Sequence, residues 1–198
     1  MAGHKSAEFW LEEIWHKLGG AVSGLVLGPS ESHIGTVGGH VFAVKGEFTR
    51  PTDTAPYAAN DAVMNSTSAP VVITFTNVAR VAATGVTIMT CKLCKSTNVT
   101  TNANFRLWLY SDTPASIPND NAAWLQAWAN CDLRVGWVDF TNPIAGSDCV
   151  TYQGVLSMAG PDPIIPTARN LYGILQATSA YVPGNAEIFS IFIRGYAE

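Results

Sequence analysis

Residues 186–195, AEIFSIFIRG, decide the fold class of this chain, because their side chains follow a two-residue period. One set of alternate positions holds Phe189, Ile191 and Ile193, and the set between them holds Ile188, Ser190 and Phe192. Successive side chains of a β-strand point to opposite faces of its sheet, so one of these sets faces a core. Residues 104–110, NFRLWLY, show the same alternation. Both stretches predict β-strands, and in the second Phe105, Leu107 and Leu109 share one face.

Runs of this kind recur along most of the chain, separated by clusters of Pro, Gly, Asn and Asp. They cover residues 40–48, 69–77, 85–93, 104–110, 133–140, 148–156, 170–178 and 186–195. No long helical pattern interrupts them. The sequence therefore predicts a mainly β protein, an antiparallel β-sandwich or jelly roll, over residues 40–198.

The first of these runs leads into a segment that collects charged residues. Within the run, Phe42, Val44 and Phe48 are predicted to fill one face of a strand. Asp53 is predicted to cap the turn fixed by the proline that precedes it. Arg50 and Asp61 are interpreted as a surface ion pair, so the segment is read as scaffold and not as a catalytic site.

Residues 1–39 differ from the β region in their pattern of apolar residues and glycines. Ser6 is a plausible N-cap, and the two glycines at 19 and 20 end the helical pattern. The apolar stripe between them includes Trp10, Leu11, Ile14 and Leu18. This spacing predicts a short amphipathic helical arm followed by a Gly-rich connector. The chain thus divides into an arm and connector, residues 1–39, and a β-domain, residues 40–198.

Residues 119–130, NDNAAWLQAWAN, are the exception within the β region. A cap at Asn119 or Asp120 predicts one or two helical turns, with Trp124 and Trp128 four positions apart on one face.

Composition excludes several classes of function. Charged residues make up 13% of the 198 positions, about half of the ~25% usual in soluble domains, which suggests that a partner covers part of the surface. The net charge is −4 and the eleven Lys and Arg are scattered, so we expect no nucleic-acid partner.

No apolar run is long enough for a membrane span, and the first residues lack the pattern of a secretory signal. We expect no membrane partner and four cysteines that remain thiols.

Residues that carry chemistry are present but form no persuasive site. Cys91 and Cys94 have the spacing of half a zinc knuckle, yet they lie on a predicted strand where residues three apart face opposite sides. The four histidines all fall in the first forty residues, and no nucleophile elbow accompanies them. Three aspartates remain as possible glycosidase or calcium-binding carboxylates, although turn and cap roles explain the first two more simply: Asp112, Asp120 and Asp139. We therefore expect no enzymatic activity, no cofactor and no metal.

Four segments together resemble the decoration or cement proteins encoded beside the major capsid protein of tailed bacteriophages. In order they are HIGTVGGHVFAVKGEFTRPTDTAPYAANDAV, FRLWLYSDTPASIPNDNAAW, VGWVDF and LYGILQATSAYVPGNAEIFSIFI, which cover most of residues 33–194. The resemblance implies a jelly-roll-like domain that binds the outer surface of an icosahedral head and ties neighbouring capsid subunits together. It implies a homotrimer more often than a dimer, and it brings no catalytic residues. The helical arm departs from the commoner pattern of the family.

The resemblance gives a functional hypothesis and a location. The protein is expected to be made in the bacterial host cytoplasm and to act on the virion surface, with the major capsid protein and other copies of itself as partners. The residues expected to form the interface are Trp10, Leu11, Ile14, Leu18, Trp124 and Trp128. The alternative is a head-fibre or adsorption module whose aromatic loops bind host glycans.

Overall fold

A computed structural model of the chain describes residues 40–158 and 163–198. The predicted helical arm and connector, residues 1–39, lie outside the described residues. The strands are β1 (His40–Thr49), β2 (Ala62–Val63), β3 (Ile73–Phe75), β4 (Val86–Lys95), β5 (Phe105–Tyr110), β6 (Arg134–Phe140), β7 (Ile144–Ala145), β8 (Val150–Gln153), β9 (Val155–Met158), β10 (Leu171–Ala177) and β11 (Ile188–Ala197).

The strands form two antiparallel sheets that pack as a sandwich. One sheet has the order β1-β11-β4-β8-β7, and the other has the order β2-β10-β5-β6-β9 with β3 also paired to β10. The short strands β3, β7 and β9 lie outside a set of eight. When those eight strands are renumbered 1 to 8 in chain order, their side-by-side order is 1-8-3-6 in one sheet and 2-7-4-5 in the other. This is the connectivity of a jelly roll, so the predicted fold class is confirmed.

The alternation predicted for β11 is confirmed. In β11, Phe189, Ile191 and Ile193 are fully buried between the sheets. At the centre of this core the ring of Phe105 meets three other rings edge-on, with centroid distances of 5.3 to 5.8 Å, those of Tyr152, Tyr181 and Phe189. Edge-to-face contacts of this kind add to the free energy gained from burying the rings.

The six-stranded sheet also buries part of its outer face. In β5, the side chains that point away from the main core include Trp108 and Tyr110, and both are buried. They belong to a second apolar cluster outside this sheet, to which Trp124 and Leu133 of the β5–β6 connection contribute. We call this connection, residues 111–133, the covering loop.

The predicted helical turns within the covering loop are wrong. The structure has a single 3-10 turn, Trp128–Asn130. The backbone of the preceding residues is instead hydrogen-bonded to the chain near β2: Trp124 N donates to Asn60 O, and the carbonyl of Ala122 accepts from Ala62 N, each at 2.8 Å. These tertiary hydrogen bonds use the groups that an α-helix would pair within itself.

A bulge in the β4–β11 pairing places Gly195 against the neighbouring backbone. A methyl group at Gly195 would overlap the carbonyl oxygen of Thr87 and the ring of Phe42. Because the carbonyl is held in the sheet, the overlap is relieved only by moving the strand. We expect Gly195→Ala to lower the free energy of unfolding by about 1–3 kcal/mol in urea titrations, whereas Gly146→Ala, which meets only Cys149, should cost less. Equal effects would contradict this account of the bulge.

Candidate interaction surface

The covering loop carries the most exposed large apolar side chains of the described residues. Trp128 is 90% exposed and Leu125 is 80% exposed. An isolated apolar residue on a protein surface is ordinary, but an indole left almost wholly in water is not. Tryptophan is also among the residues most enriched in the energetic centres of protein interfaces. These two side chains are therefore the candidate contact point for a partner.

Trp124 has a different environment from Trp128. Its ring stacks on that of Trp108, with a centroid distance of 4.3 Å and an interplanar angle of 3°. Trp108 in turn donates from Nε1 to Gln176 Oε1 at 2.9 Å. Trp124 thus attaches the loop to the sheet, while Trp128 extends into solvent. The prediction that both rings share one helical face is wrong, because that segment forms no α-helix.

Buried polar side chains hold the covering loop in place at two points. Asn130 accepts a hydrogen bond from Ala115 N at 2.8 Å and donates one to Ser116 O at 3.0 Å, which closes the loop on itself. Asp120 accepts from Met64 N at 2.8 Å, which ties the middle of the loop to the residue that follows β2. Because the loop is held at both places, the segment that carries Trp128 loses little conformational entropy when a partner binds.

Asp120 also belongs to a buried charge cluster with Arg50 and Tyr57. Its Oδ1 accepts from the Tyr57 hydroxyl at 2.6 Å, and its Oδ2 lies 3.3 Å from Arg50 Nη2. Both charged side chains are almost completely buried, and the guanidinium also lies over the Tyr57 ring at 4.7 Å. Burial, with Asp120 beside it, raises the pKa of the Tyr57 hydroxyl far above its ordinary value. The cap role predicted for Asp120 is therefore replaced by a buried ion pair.

The predicted surface ion pair between Arg50 and Asp61 is wrong. Arg50 continues the inward-facing positions of β1 and reaches Asp120, with partly exposed Asp53 as a second partner at 3.2 Å. Asp61 instead accepts a hydrogen bond from Ala58 N at 2.6 Å. The turn role of Asp53 is confirmed, because its Oδ1 accepts from Ala55 N at 3.0 Å.

A second buried charge cluster lies against the first. Lys95 Nζ is 2.9 Å from Glu187 Oε1, and neither side chain has any exposed surface. Tyr181 and Thr97 both donate to the same carboxylate. The Tyr181 ring stacks on that of Tyr57 at 6.2 Å and so joins the two clusters. Burial lowers the pKa of Lys95, and the bond to Glu187 opposes this shift.

The two clusters stabilise the sandwich and offer no access to a substrate. Sequence reasoning missed both, although one signal was available. Arg50 and Lys95 each fall on the inward-facing set of an alternating strand, where a charge requires a buried partner. The partners, 70 and 92 residues away along the chain, are set by the sheet register and are not readable from the local pattern.

The other two aspartates considered as possible ligands, Asp112 and Asp139, each have a local partner. Asp112 accepts from Thr113 N at 2.7 Å, which confirms its turn role. Asp139 forms a bidentate pair with Arg106 on the neighbouring strand, at 2.6 and 3.0 Å, and accepts from Trp137 Nε1 at 3.2 Å. Within residues 40–158 and 163–198, no three His, Cys, Asp or Glu side chains are grouped closely enough to hold a metal ion.

Cys91 and Cys94 face opposite sides of β4, as the strand period predicts. Cys91 is fully buried in the main core, and burial raises the pKa of its thiol to about 12. Cys94 lies half-buried on the outer face, 3.8 Å from the hydroxyl of Thr151. The two sulfurs therefore do not converge on a shared ligand.

The other predicted positions are placed as follows. His40 begins β1 and is exposed, whereas the other three histidines lie outside the described residues. The interface residues predicted on the arm lie outside them as well, namely Trp10, Leu11, Ile14 and Leu18. In the part of the chain that the structure describes, no helix has the length and apolar character needed to cross a bilayer.

Comparison with known proteins adds little to these observations. No protein-family model matches the chain, and no curated protein matches it. Among solved structures, one of black queen cell virus is similar over 85% of this chain and 73% of its own chain, with 9% sequence identity and a TM-score of 0.25. This chain is thus weakly similar to a virus structure, and the TM-score is too low to carry an argument about family or function.

Proposed function

We propose that the chain is a structural protein of a virion, a decoration protein that binds the outer surface of a tailed-phage head. The observation that carries the proposal is the exposure of Trp128 and Leu125 on a loop held in place by buried hydrogen bonds. The four segments that resemble decoration proteins and the jelly-roll connectivity support the same role.

In this role the protein performs no bond chemistry. It stabilises the head because it binds the assembled lattice better than the free capsid subunits, which shifts the assembly equilibrium by mass action. The partner is the major capsid protein, and Trp128 inserts into an apolar recess between or within its subunits. Burying an exposed indole in such a recess supplies a large share of the binding free energy from one residue.

Replacing the two exposed side chains tests the proposal. We expect Trp128→Ser with Leu125→Ser to weaken binding to purified undecorated heads at least about tenfold, measured as occupancy against protein concentration. The thermal midpoint of the free protein should change by less than about 2 °C, because neither side chain packs in the core.

The matched control removes an exposed apolar side chain elsewhere. Val81→Ser, at a residue that is 62% exposed, should leave head binding unchanged. Full binding by the double variant would contradict the proposal. Loss of binding to host glycans, with head binding intact, would assign the same residues to an adsorption module.

A further inference from the structure

Strand β1 lies at the edge of the five-stranded sheet. All ten of its residues, His40–Thr49, are paired with β11 on one side. On the other side, no backbone hydrogen bond joins these ten residues to any other described part of the chain. An edge strand of this length presents a row of unpaired N–H and C=O groups and acts as a template for another strand.

The outer edge of β1 is open along its first half. A groove of about 430 Å³ follows the strand there, lined by residues 40–45 on one side and by Thr76 and Asn77 on the other. Six consecutive strand residues line this groove. A groove that contacts every residue of a strand in turn follows its backbone edge and not only one of its faces, because alternate side chains point to opposite faces.

The charges on β1 are arranged to match those of a second copy. Lys45 and Glu47 point to the outer face of the sheet on either side of Gly46, and each is about half exposed. Within one copy they form an ion pair with each other, so the pairing with a second copy extends this pair into a four-charge network. If two β1 strands run antiparallel about a two-fold axis at Gly46, Lys45 of each copy stands directly opposite Glu47 of the other. Opposite charges at directly opposed positions stabilise a strand pair, and like charges destabilise it.

Other registers lack this match. An axis at Lys45 sets the two lysines against each other, and an axis at Glu47 does the same for the two glutamates. The axis at Gly46 also places half-buried Val44 opposite Phe48, a pairing of a β-branched and an aromatic side chain. Residues 43–49 of each copy then pair along their full length, and residues 43–45 of this segment line the groove.

We propose that the protein forms a two-fold dimer in which the β1 strands of two copies pair antiparallel about Gly46. The pairing joins two five-stranded sheets into one sheet of ten strands. A contact of this kind is isologous and closes after two copies, so it gives a dimer. The resemblance to decoration proteins, in contrast, implies a trimer more often than a dimer. The proposal does not depend on the capsid role, because it rests on the edge of β1 alone.

Charge reversal on the full chain tests the proposal. We expect the unmodified protein to sediment as a dimer and Lys45→Glu to raise the dissociation constant of the dimer about tenfold or more, since each strand pair then opposes Glu to Glu. The double reversal Lys45→Glu with Glu47→Lys restores the opposite charges and should restore the dimer. The matched control is Arg194→Glu, an exposed residue on the same outer face but one strand inward, which should leave the dimer unchanged.

Disulfide trapping tests the register. In a background with Cys94→Ser, Cys131→Ser and Cys149→Ser, a mixture of Lys45→Cys and Glu47→Cys proteins should form a covalent dimer under mild oxidation. Either protein alone should cross-link much more slowly, because identical positions are diagonal across the axis. A monomer or trimer in sedimentation, a double reversal that fails to restore the dimer, or equally fast cross-linking of Lys45→Cys alone would overturn the proposal.

Discussion

Replacing Glu187 by glutamine is expected to lower the free energy of unfolding by about 3–5 kcal/mol. The substitution preserves the size of the side chain but removes the negative charge that lies 2.9 Å from Lys95 Nζ. The ammonium is then left without a counter-ion in a site that water does not reach. Urea titration followed by intrinsic fluorescence measures the loss directly.

A double variant separates the charge from the packing. Lys95→Met with Glu187→Leu replaces the ion pair by apolar groups, and such replacements are often neutral or stabilising. Here the Tyr181 and Thr97 hydroxyls lose their acceptor, so some cost remains. We expect the double variant to recover at least half of the stability lost by Glu187→Gln. A double variant as unstable as the single one would show that the unpaired charge is not the cause.

The loss caused by Glu187→Gln should depend on pH in a defined direction. Desolvation already lowers the pKa of Lys95 from 10.5, and removing Glu187 removes the interaction that opposes this shift. For a base whose folded pKa is depressed, the folding stability is full above the unfolded pKa and falls as pH drops through the folded pKa. The difference in the free energy of unfolding between the variant and the unmodified protein should therefore become smaller as pH rises toward 10.5. If this difference becomes larger as pH rises, the assignment of the charge to Lys95 is wrong.

Asp120→Ala is the second substitution with a large expected effect, again about 3–5 kcal/mol. It removes the one buried carboxylate beside Arg50 among the described residues, and it leaves the Met64 amide without its acceptor. The matched control is Asp53→Ala, because Asp53 also pairs with Arg50 but is partly exposed. We expect that control to cost less than about 1 kcal/mol.

The same substitution should also affect the covering loop. Because the Asp120 side chain is one of the ties between the middle of the loop and the chain after β2, its removal weakens the attachment of the segment that leads to Trp124, and the stacked Trp108–Trp124 pair should loosen. Near-ultraviolet circular dichroism reports this change as a loss of tryptophan signal below the unfolding transition. If Asp120→Ala costs no more than Asp53→Ala and leaves the tryptophan signal intact, the anchoring role of Asp120 is wrong.

The candidate interaction surface was predictable only in part. The tryptophan-containing segment at residues 119–130 was found from its residue types, and Trp128 is indeed exposed. Its helical form was predicted wrongly, because local propensity competes there with hydrogen bonds to Asn60 and Ala62, which the sequence brings close only after the sheets form. The roles of Trp124 and Trp128 differ for the same reason, since stacking on Trp108 requires the finished sheet.

Residues 148–156 show what a local sequence pattern leaves undetermined about the fold. The sequence predicts one strand, and the structure has two, β8 in the five-stranded sheet and β9 in the six-stranded sheet. The chain passes between the sheets at Gly154, where a Cβ atom would collide with Val138 and Phe140. An alternating run specifies which side chains share a face, but it carries no information about the sheet to which that face belongs.

By itself the sequence determined the fold class and the buried faces of the long strands, because the two-residue period is fixed by the geometry of each strand. It did not identify Arg50 and Lys95 as buried, because both lie just beyond the ends of the predicted strands. Only the tertiary structure decided their partners, Asp120 and Glu187, and the exposure of the outer edge of β1. Partners and edges depend on strand order and register, which arise from contacts between residues far apart in the chain.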